Sequence, residues 1–305
     1  MNLLHIAVHH HKEWGAEHWL SFAFERAGCN VIRYNYRRKR QLLTPWWLIE
    51  KQLLKINSEV KLDGVLIQRG EKIPASIPAL FDCPTIFWST EPLIRRRDHD
   101  ALLNAHEHLD WVYVHTHTSK GIVDREFPNI ANKSSVFHYA GASEFDPGDN
   151  NRTRLAVFNR NVSKRRREWL NESSGLVDVI EGQYGKKYFE ALRSSQIALN
   201  IHFADSSVDD FETGIFEALA SGCVVVTETL NPLVVSDMGM ENALVQVKDA
   251  VEMRRAIEDL RDNPEKLLEL QENGRKALEN NRWDNRAEQM LEKFAEIKMK
   301  TSTAA

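Results

Sequence analysis

The chain has 305 residues, 42% hydrophobic and 28% charged, a globular composition that excludes a disordered or fibrous protein. At about twice the usual ~100–150-residue domain length, it has room for two domains, each with its own core. Its 44 acidic and 40 basic side chains leave a formal net charge of −4, without the global basic excess of a dedicated duplex-DNA or membrane-surface binder.

Leu3–Val8 reads as a buried strand, Ala16–Ala27 as a helix stopped by Gly28, and Val31–Tyr34 as a second strand. Gly64–Gln68, Thr85–Trp88, Trp111–Val114 and Ser135–Tyr139 continue the strands, with helical patterns at Trp46–Asn57, Asp98–His106 and Ser119–Phe127. The polar run Ser143–Thr153 reads as a linker. Beyond it, strands are expected at Leu155–Asn159, Val177–Ile180, Ile197–Ile201, Cys223–Thr227 and Ala243–Val247. The matching helices are Lys164–Asn171, Lys186–Arg193, Gly214–Ser221, Val251–Asp262, Pro264–Asn280 and Trp283–Lys298. Such alternation implies right-handed βαβ units and parallel sheets covered on both faces. The expected architecture is α/β, with two doubly wound Rossmann-like domains facing each other across a cleft. These are residues 1–146 and 147–281, followed by a terminal helix over 282–305. Such sheets bind ligands beyond the carboxyl ends of their strands.

Asp209–Val226 (DDFETGIFEALASGCVVV) is the most informative stretch. An acidic loop leads into a short helix bearing Glu217, and Gly222 ends that helix before an apolar strand. Free N–H groups and the dipole at such a helix start favour phosphate. A carboxylate on its first turns can accept paired hydrogen bonds from a ribose diol. A plain helix–strand hairpin has the same pattern. Leu155–Trp169 (LAVFNRNVSKRRREW) puts Arg160 at a strand's carboxyl end and Lys164 shortly after. Arg165, Arg166 and Arg167 read as the solvated start of a basic helix.

Asp209 and Glu217 have the spacing of an E-x(7)-E pair, and Ala218, Ala220, Gly222 and Val224–Val226 follow. This pattern resembles the signature of the GT-B glycosyltransferases, particularly the family-4-like group and those related to spore-maturation proteins. The resemblance extends to Arg160 and Lys164, to Trp14-Gly15-Ala16-Glu17-His18, to the Phe87–Pro92 segment FWSTEP, and to Arg282–Arg286. It departs at Asp209, which stands where the family has Glu, and in the single loop glycine, Gly15.

The resemblance implies a glycosyltransferase whose donor, a nucleotide-diphosphate sugar, binds the second domain. Arg160 and Lys164 would hold the diphosphate and Glu217 the ribose. Asp209 would lie near the donor sugar, with Glu212 as the alternative, and Gly15 would let backbone approach the donor phosphates or the acceptor. The terminal helix would cross back onto the first domain. Enzymes of this kind generally need no metal or other cofactor, and family-4-like members retain anomeric configuration. The acceptor enters from the first domain and is left open among a glycan, a lipid-linked glycan, a protein and a nucleic-acid base. Two rival readings are a nucleotide-sugar epimerase of the same fold and a catalytically degenerate glycosyltransferase serving as a binding partner.

His115 and His117 follow the Trp111–Val114 strand, two apart and so on one face. His117 and Glu91 are both candidates for taking the acceptor's proton. His9, His10 and His11 are adjacent, and adjacent loop residues rarely converge on one ion, so no metal site is expected. Trp46-Trp47 reads as a core anchor, with Trp14 and Trp88 as sugar-stacking candidates if exposed. Cys29, Cys83 and Cys223 form no C-x-x-C pair; a reduced compartment is the simpler reading, and Cys83 and Cys223 read as buried hydrophobes. The N-terminal apolar stretch is too short for a signal, and no window approaches the ~20 apolar residues of a membrane span. The expectation is a cytoplasmic protein without a transmembrane segment.

Overall fold

The structure is a computed structural model and describes residues 1–9, 15–95, 100–145, 152–203 and 212–304. The chain divides into two compact units, Met1–His138 with Asp284–Ala305, and Tyr139–Trp283.

The first unit runs β1 (Asn2–Ala7), α1 (Ala16–Arg26), β2 (Asn30–Asn35), α2 (Tyr36–Gln41), α3 (Trp46–Glu59) and β3 (Gly64–Gln68). It continues with β4 (Thr85–Ser89), α4 (Asp100–Asn104), β5 (Trp111–Val114), α5 (His117–Glu126), α6 (Pro128–Ala131) and β6 (Ser134–Val136). Its strands pair in parallel in the order β2-β1-β3-β4-β5-β6. Every residue of β3 (GVLIQ) and β4 (TIFWS) is buried, as expected where helices cover both faces of a parallel sheet. From β1 the chain goes to β2 on one side and then to β3 on the other, so strand order reverses at β1.

The second unit runs β7 (Arg154–Phe158), α7 (Lys164–Glu172), β8 (Val177–Val179), α8 (Lys186–Arg193), β9 (Ser195–Asn200) and α9 (Thr213–Ala220). Then come β10 (Val224–Glu228), α10 (Pro232–Asp237), β11 (Leu244–Val247), α11 (Ala250–Asp262) and α12 (Pro264–Leu278). The sheet order is β11-β10-β9-β7-β8, again parallel throughout. Here the order reverses at β7, and ligand crevices of doubly wound sheets open at the carboxyl ends of such strands.

The last helix, α13 (Trp283–Ala304), buries Ala287, Met290, Phe294 and Ile297 along one stripe. Phe294 packs on the start of β3, where a Cβ on Gly64 would come within 2.8 Å of its ring. Two α/β units with parallel sheets are thus the architecture expected. Among the described residues no helix is long and apolar enough to cross a membrane.

Candidate functional site

Arg160 lies two residues beyond β7, at the carboxyl edge where the second sheet reverses its order. Glu212 is the N-cap residue of α9, and Glu217 sits buried in the middle of that helix. The fold brings the three together. Arg160 Nη1 donates to Glu212 Oε2 at 3.3 Å, and its Nη2 lies 3.5 Å from Glu217 Oε2. Tyr188, on α8, joins them: its hydroxyl accepts from Arg160 Nη2 at 3.4 Å and donates to Glu217 Oε2 at 2.6 Å. The guanidinium rests directly on Gly214, in the first turn of α9, where any Cβ would overlap it.

Arg166 completes the cluster. It is 4% exposed. Nη2 donates to both Glu212 oxygens at 3.2 and 3.3 Å, Nε to the Ile201 carbonyl at 2.8 Å, and Nη1 to the Asn161 carbonyl at 3.0 Å. Arg165 forks onto Glu228, with Nη1 2.8 Å from Oε2 and Nη2 on Oε1, and also reaches the His202 carbonyl at 3.0 Å. The solvated basic run expected at Arg165–Arg167 is therefore corrected for two of its three members. Ser163 caps α7 by accepting from Arg166 N, and the helix then turns Arg165 and Arg166 towards carbonyls and carboxylates at the ends of β7, β9 and β10. Arg167 is exposed, as is Lys164 at the first position of α7. Asp209 lies outside the described residues.

Burial pushes the Glu217 carboxyl above the ordinary glutamate range, opposed by Arg160 and the Tyr188 hydrogen bond. Burial likewise raises the Tyr188 phenol, and the Glu217 charge adds to the effect. Burial works against the Arg160 charge, but Tyr188, Glu212 and Glu217 outweigh it and hold the guanidinium protonated. Two guanidiniums, Arg160 and Arg166, thus face two carboxylates, Glu212 and Glu217, a set balanced in charge.

A group whose folded pKa exceeds its unfolded one binds its proton more readily in the folded state. Its contribution to stability therefore falls as pH rises through that window and returns on acidification. Wild type is expected to gain stability relative to Glu217→Gln as pH is lowered from neutrality towards the ordinary glutamate range. Urea midpoints across pH check this, and parallel profiles for the two proteins would rule out the raised carboxyl.

At the carboxyl edge of the first sheet, Glu91 follows β4 and pairs with Arg69 Nη2 at 3.1 Å and Arg95 Nη1 at 3.2 Å. Arg69 also donates from Nε to Glu71 at 3.1 Å, and Arg37 pairs with the same carboxylate. Gly15 is the N-cap residue of α1 at φ 95°, a left-handed backbone that favours glycine; its carbonyl accepts from His18 N and Trp19 N. His117 opens α5 behind its cap Thr116, its ring 6.0 Å from that of His138.

Trp88 is fully buried in β4 and offers no sugar platform; Trp46 is half-buried, but Trp47 is 58% exposed, so only the first of the pair anchors to the core. Cys223 is buried, whereas Cys83 is half-buried. Trp14, His10 and His11 lie outside the described residues. Sequence reasoning missed Tyr188 and Arg166. Only the fold brings Tyr188 of α8 to Glu217 of α9 and the Arg166 side chain to Glu212 at the α9 N-cap.

Residues 143–292 match a family model described as glycosyl transferase-like. No curated protein matches the sequence. Among solved structures, a glycosyltransferase from Rickettsia africae superposes with a TM-score of 0.69 at 11% identity, covering 97% of this chain and 98% of that one. HepE from Anabaena, in complex with UDP and glucose, gives 0.68 at 11% identity over 96% and 99%. A trehalose 6-phosphate synthase from Burkholderia multivorans gives 0.66 at 11% identity over 99% and 98%. The chain therefore has the GT-B fold, and its residues 143–292, with Arg160, Arg166, Tyr188, Glu212 and Glu217 all inside them, match a glycosyl transferase-like family.

Proposed function

We propose that this chain is a glycosyltransferase that takes a nucleotide-diphosphate sugar at the carboxyl edge of its second sheet. The observation that carries the reading is Arg160, seated on Gly214 and joined to Glu212 and Glu217, within the stretch that matches the family model. Arg160 turns from its carboxylates to the diphosphate, and exposed Lys164 and the first N–H groups of α9 add positive potential. The freed Glu217 carboxylate then accepts from the ribose hydroxyls. Transfer breaks the bond between the sugar C1 and the diphosphate oxygen and forms one to an acceptor oxygen. The departing diphosphate keeps the electron pair, and its charge develops where the cations stand. HepE was solved with UDP-glucose, which makes a UDP-sugar the first donor to try.

Asp209 near the donor sugar, Gly15 at the first sheet's edge, and His117 or Glu91 as acceptor of the incoming hydroxyl's proton belong to the same reading, as do metal independence and retention. A UDP-GlcNAc 2-epimerase from Neisseria meningitidis also shares the fold, with a TM-score of 0.58 over 97% of this chain. Interconversion of the donor sugar without any acceptor would favour that reading.

The test is calorimetric titration with UDP and UDP-glucose in the absence of metal. Wild type is expected to bind, and Arg160→Ala to bind at least tenfold more weakly, the cost of about 1.4 kcal/mol. Absence of binding to any nucleoside diphosphate or its sugar conjugates by folded wild type would overturn the donor site.

A further inference from the structure

A surface of the first unit, independent of the donor reading, carries chemistry of another kind. Over residues 36–59, which span α2 and α3, the chain has six bases (Arg37, Arg38, Lys39, Arg40, Lys51 and Lys55) and two acids, Glu50 and Glu59, although the whole chain is net negative; Arg37 pairs with Glu71 and Lys55 with Glu59. Asn35 caps α2 by accepting from Arg38 N at 2.9 Å. The helix ends with Leu43 N donating to the Arg40 carbonyl at 3.0 Å and Thr44 N to the Lys39 carbonyl at 3.1 Å. That pair of bonds closes a Schellman turn, whose left-handed position is usually glycine. Here the position is Leu43, at φ 57°.

The leucine therefore carries two costs, a disfavoured backbone and a hydrated side chain. Leu43 is 86% exposed and its neighbour Leu42 70%. The basic helix is tied to the start of α3, because Arg40 donates to the Thr44 carbonyl at 2.6 Å and its guanidinium lies 5.5 Å over Trp46. On α3 itself, Ile49 and Leu53 face the core. Trp47, Lys51 and Leu54 share the opposite, exposed face at i, i+4 and i+7, with the Lys51 ammonium 5.3 Å over the Trp47 ring.

We propose that this surface, α2, the Leu42-Leu43 tip and the outer face of α3, docks on a membrane surface of anionic lipid. Each part has a counterpart there. Arg38, Lys39 and Arg40 meet acidic headgroups. The two leucines enter the acyl boundary, which returns what they lose in water. Trp47 sits at the interface, where an amphipathic ring is favoured. A polyanion dissolved in water would satisfy the cations but leave Leu42 and Leu43 hydrated. Docking of this kind needs no spanning helix.

The experiment is co-sedimentation of the full chain with vesicles of phosphatidylglycerol in phosphatidylcholine, against phosphatidylcholine alone. Wild type is expected to pellet with the anionic vesicles and to be released by high salt, since exposed charges are screened. Arg38→Glu with Lys39→Glu should weaken binding by about tenfold or more. Leu43→Gly separates docking from folding: it relieves the left-handed strain, so thermal stability is kept or raised while vesicle binding falls. Failure of wild type to pellet with anionic vesicles would overturn the proposal, as would pelleting that neither variant changes. Retention on heparin without vesicle binding would overturn it in favour of a polyanionic partner.

Discussion

Gly214→Ala is expected to destabilise the second unit, although alanine ordinarily gains about 1 kcal/mol over glycine within a helix. The reason is the close approach of Arg160: its guanidinium occupies the space a methyl group needs. Pushing it out removes a partner from Glu217, which is buried, and from Glu212. Breaking a buried pair costs about 3–5 kcal/mol, so after the helix gain the net loss is about 2–4 kcal/mol. A double-mutant cycle isolates the effect. In an Arg160→Ala background the methyl meets no guanidinium, and Gly214→Ala should become neutral or stabilising. Urea midpoints of the four proteins decide it. If Gly214→Ala is as stable as its parent in both backgrounds, the guanidinium is not seated on the helix and the proposed donor site loses the observation that carries it.

The buried strands were the most legible part of this chain. Gly64–Gln68 and Trp111–Val114 are found at their expected limits, and Cys223–Thr227 is displaced by one residue to Val224–Glu228. A parallel sheet covered on both faces turns directly into uninterrupted apolar runs. Helices without such a stripe were not legible. α2 has the sequence YRRKRQ, which shows no apolar period; it forms through the Asn35 cap and the turn at Leu43. α10 was missed although Asn231-Pro232 marks a helix start, with Asn231 accepting from Leu233 N.

The cluster in the second unit was legible only in part, for a similar reason. Arg160 and Glu217 are far apart in the chain, and each stands in a recognisable local pattern, Arg160 at a strand end and Glu217 in the short helix closed by Gly222. Tyr188 has no such address. It meets Glu217 because the β8→β9 and β9→β10 crossovers run in the same direction across the sheet and so put α8 and α9 on one face, a relation that appears only once the strand order is known. Arg166 was hidden differently. Within a run of four bases no local signal distinguishes the one that turns inward, and charge runs are usually solvated.

Arg166→Ala is expected to cost about 3–5 kcal/mol, the range for removing one partner of a buried ion pair. One planar group here serves three acceptors on three segments: the Asn161 carbonyl after β7, the Ile201 carbonyl after β9 and the Glu212 carboxylate at the start of α9. Its face also lies 5.5 Å from the Phe158 and Phe203 rings. Arg166→Lys should recover little, because a single ammonium cannot reach all three acceptors or present a plane to the rings. The carboxylate left behind is the larger part of the loss. Glu212→Gln added to Arg166→Ala should restore stability, with a coupling of about 1–3 kcal/mol. Chemical denaturation of the two single variants and the double provides the measurement. A coupling near zero would mean that Glu212 is held by Arg160 alone. A clear coupling would mean that Arg166 helps hold Glu212 in place beside Arg160, the arrangement on which the proposed donor site rests.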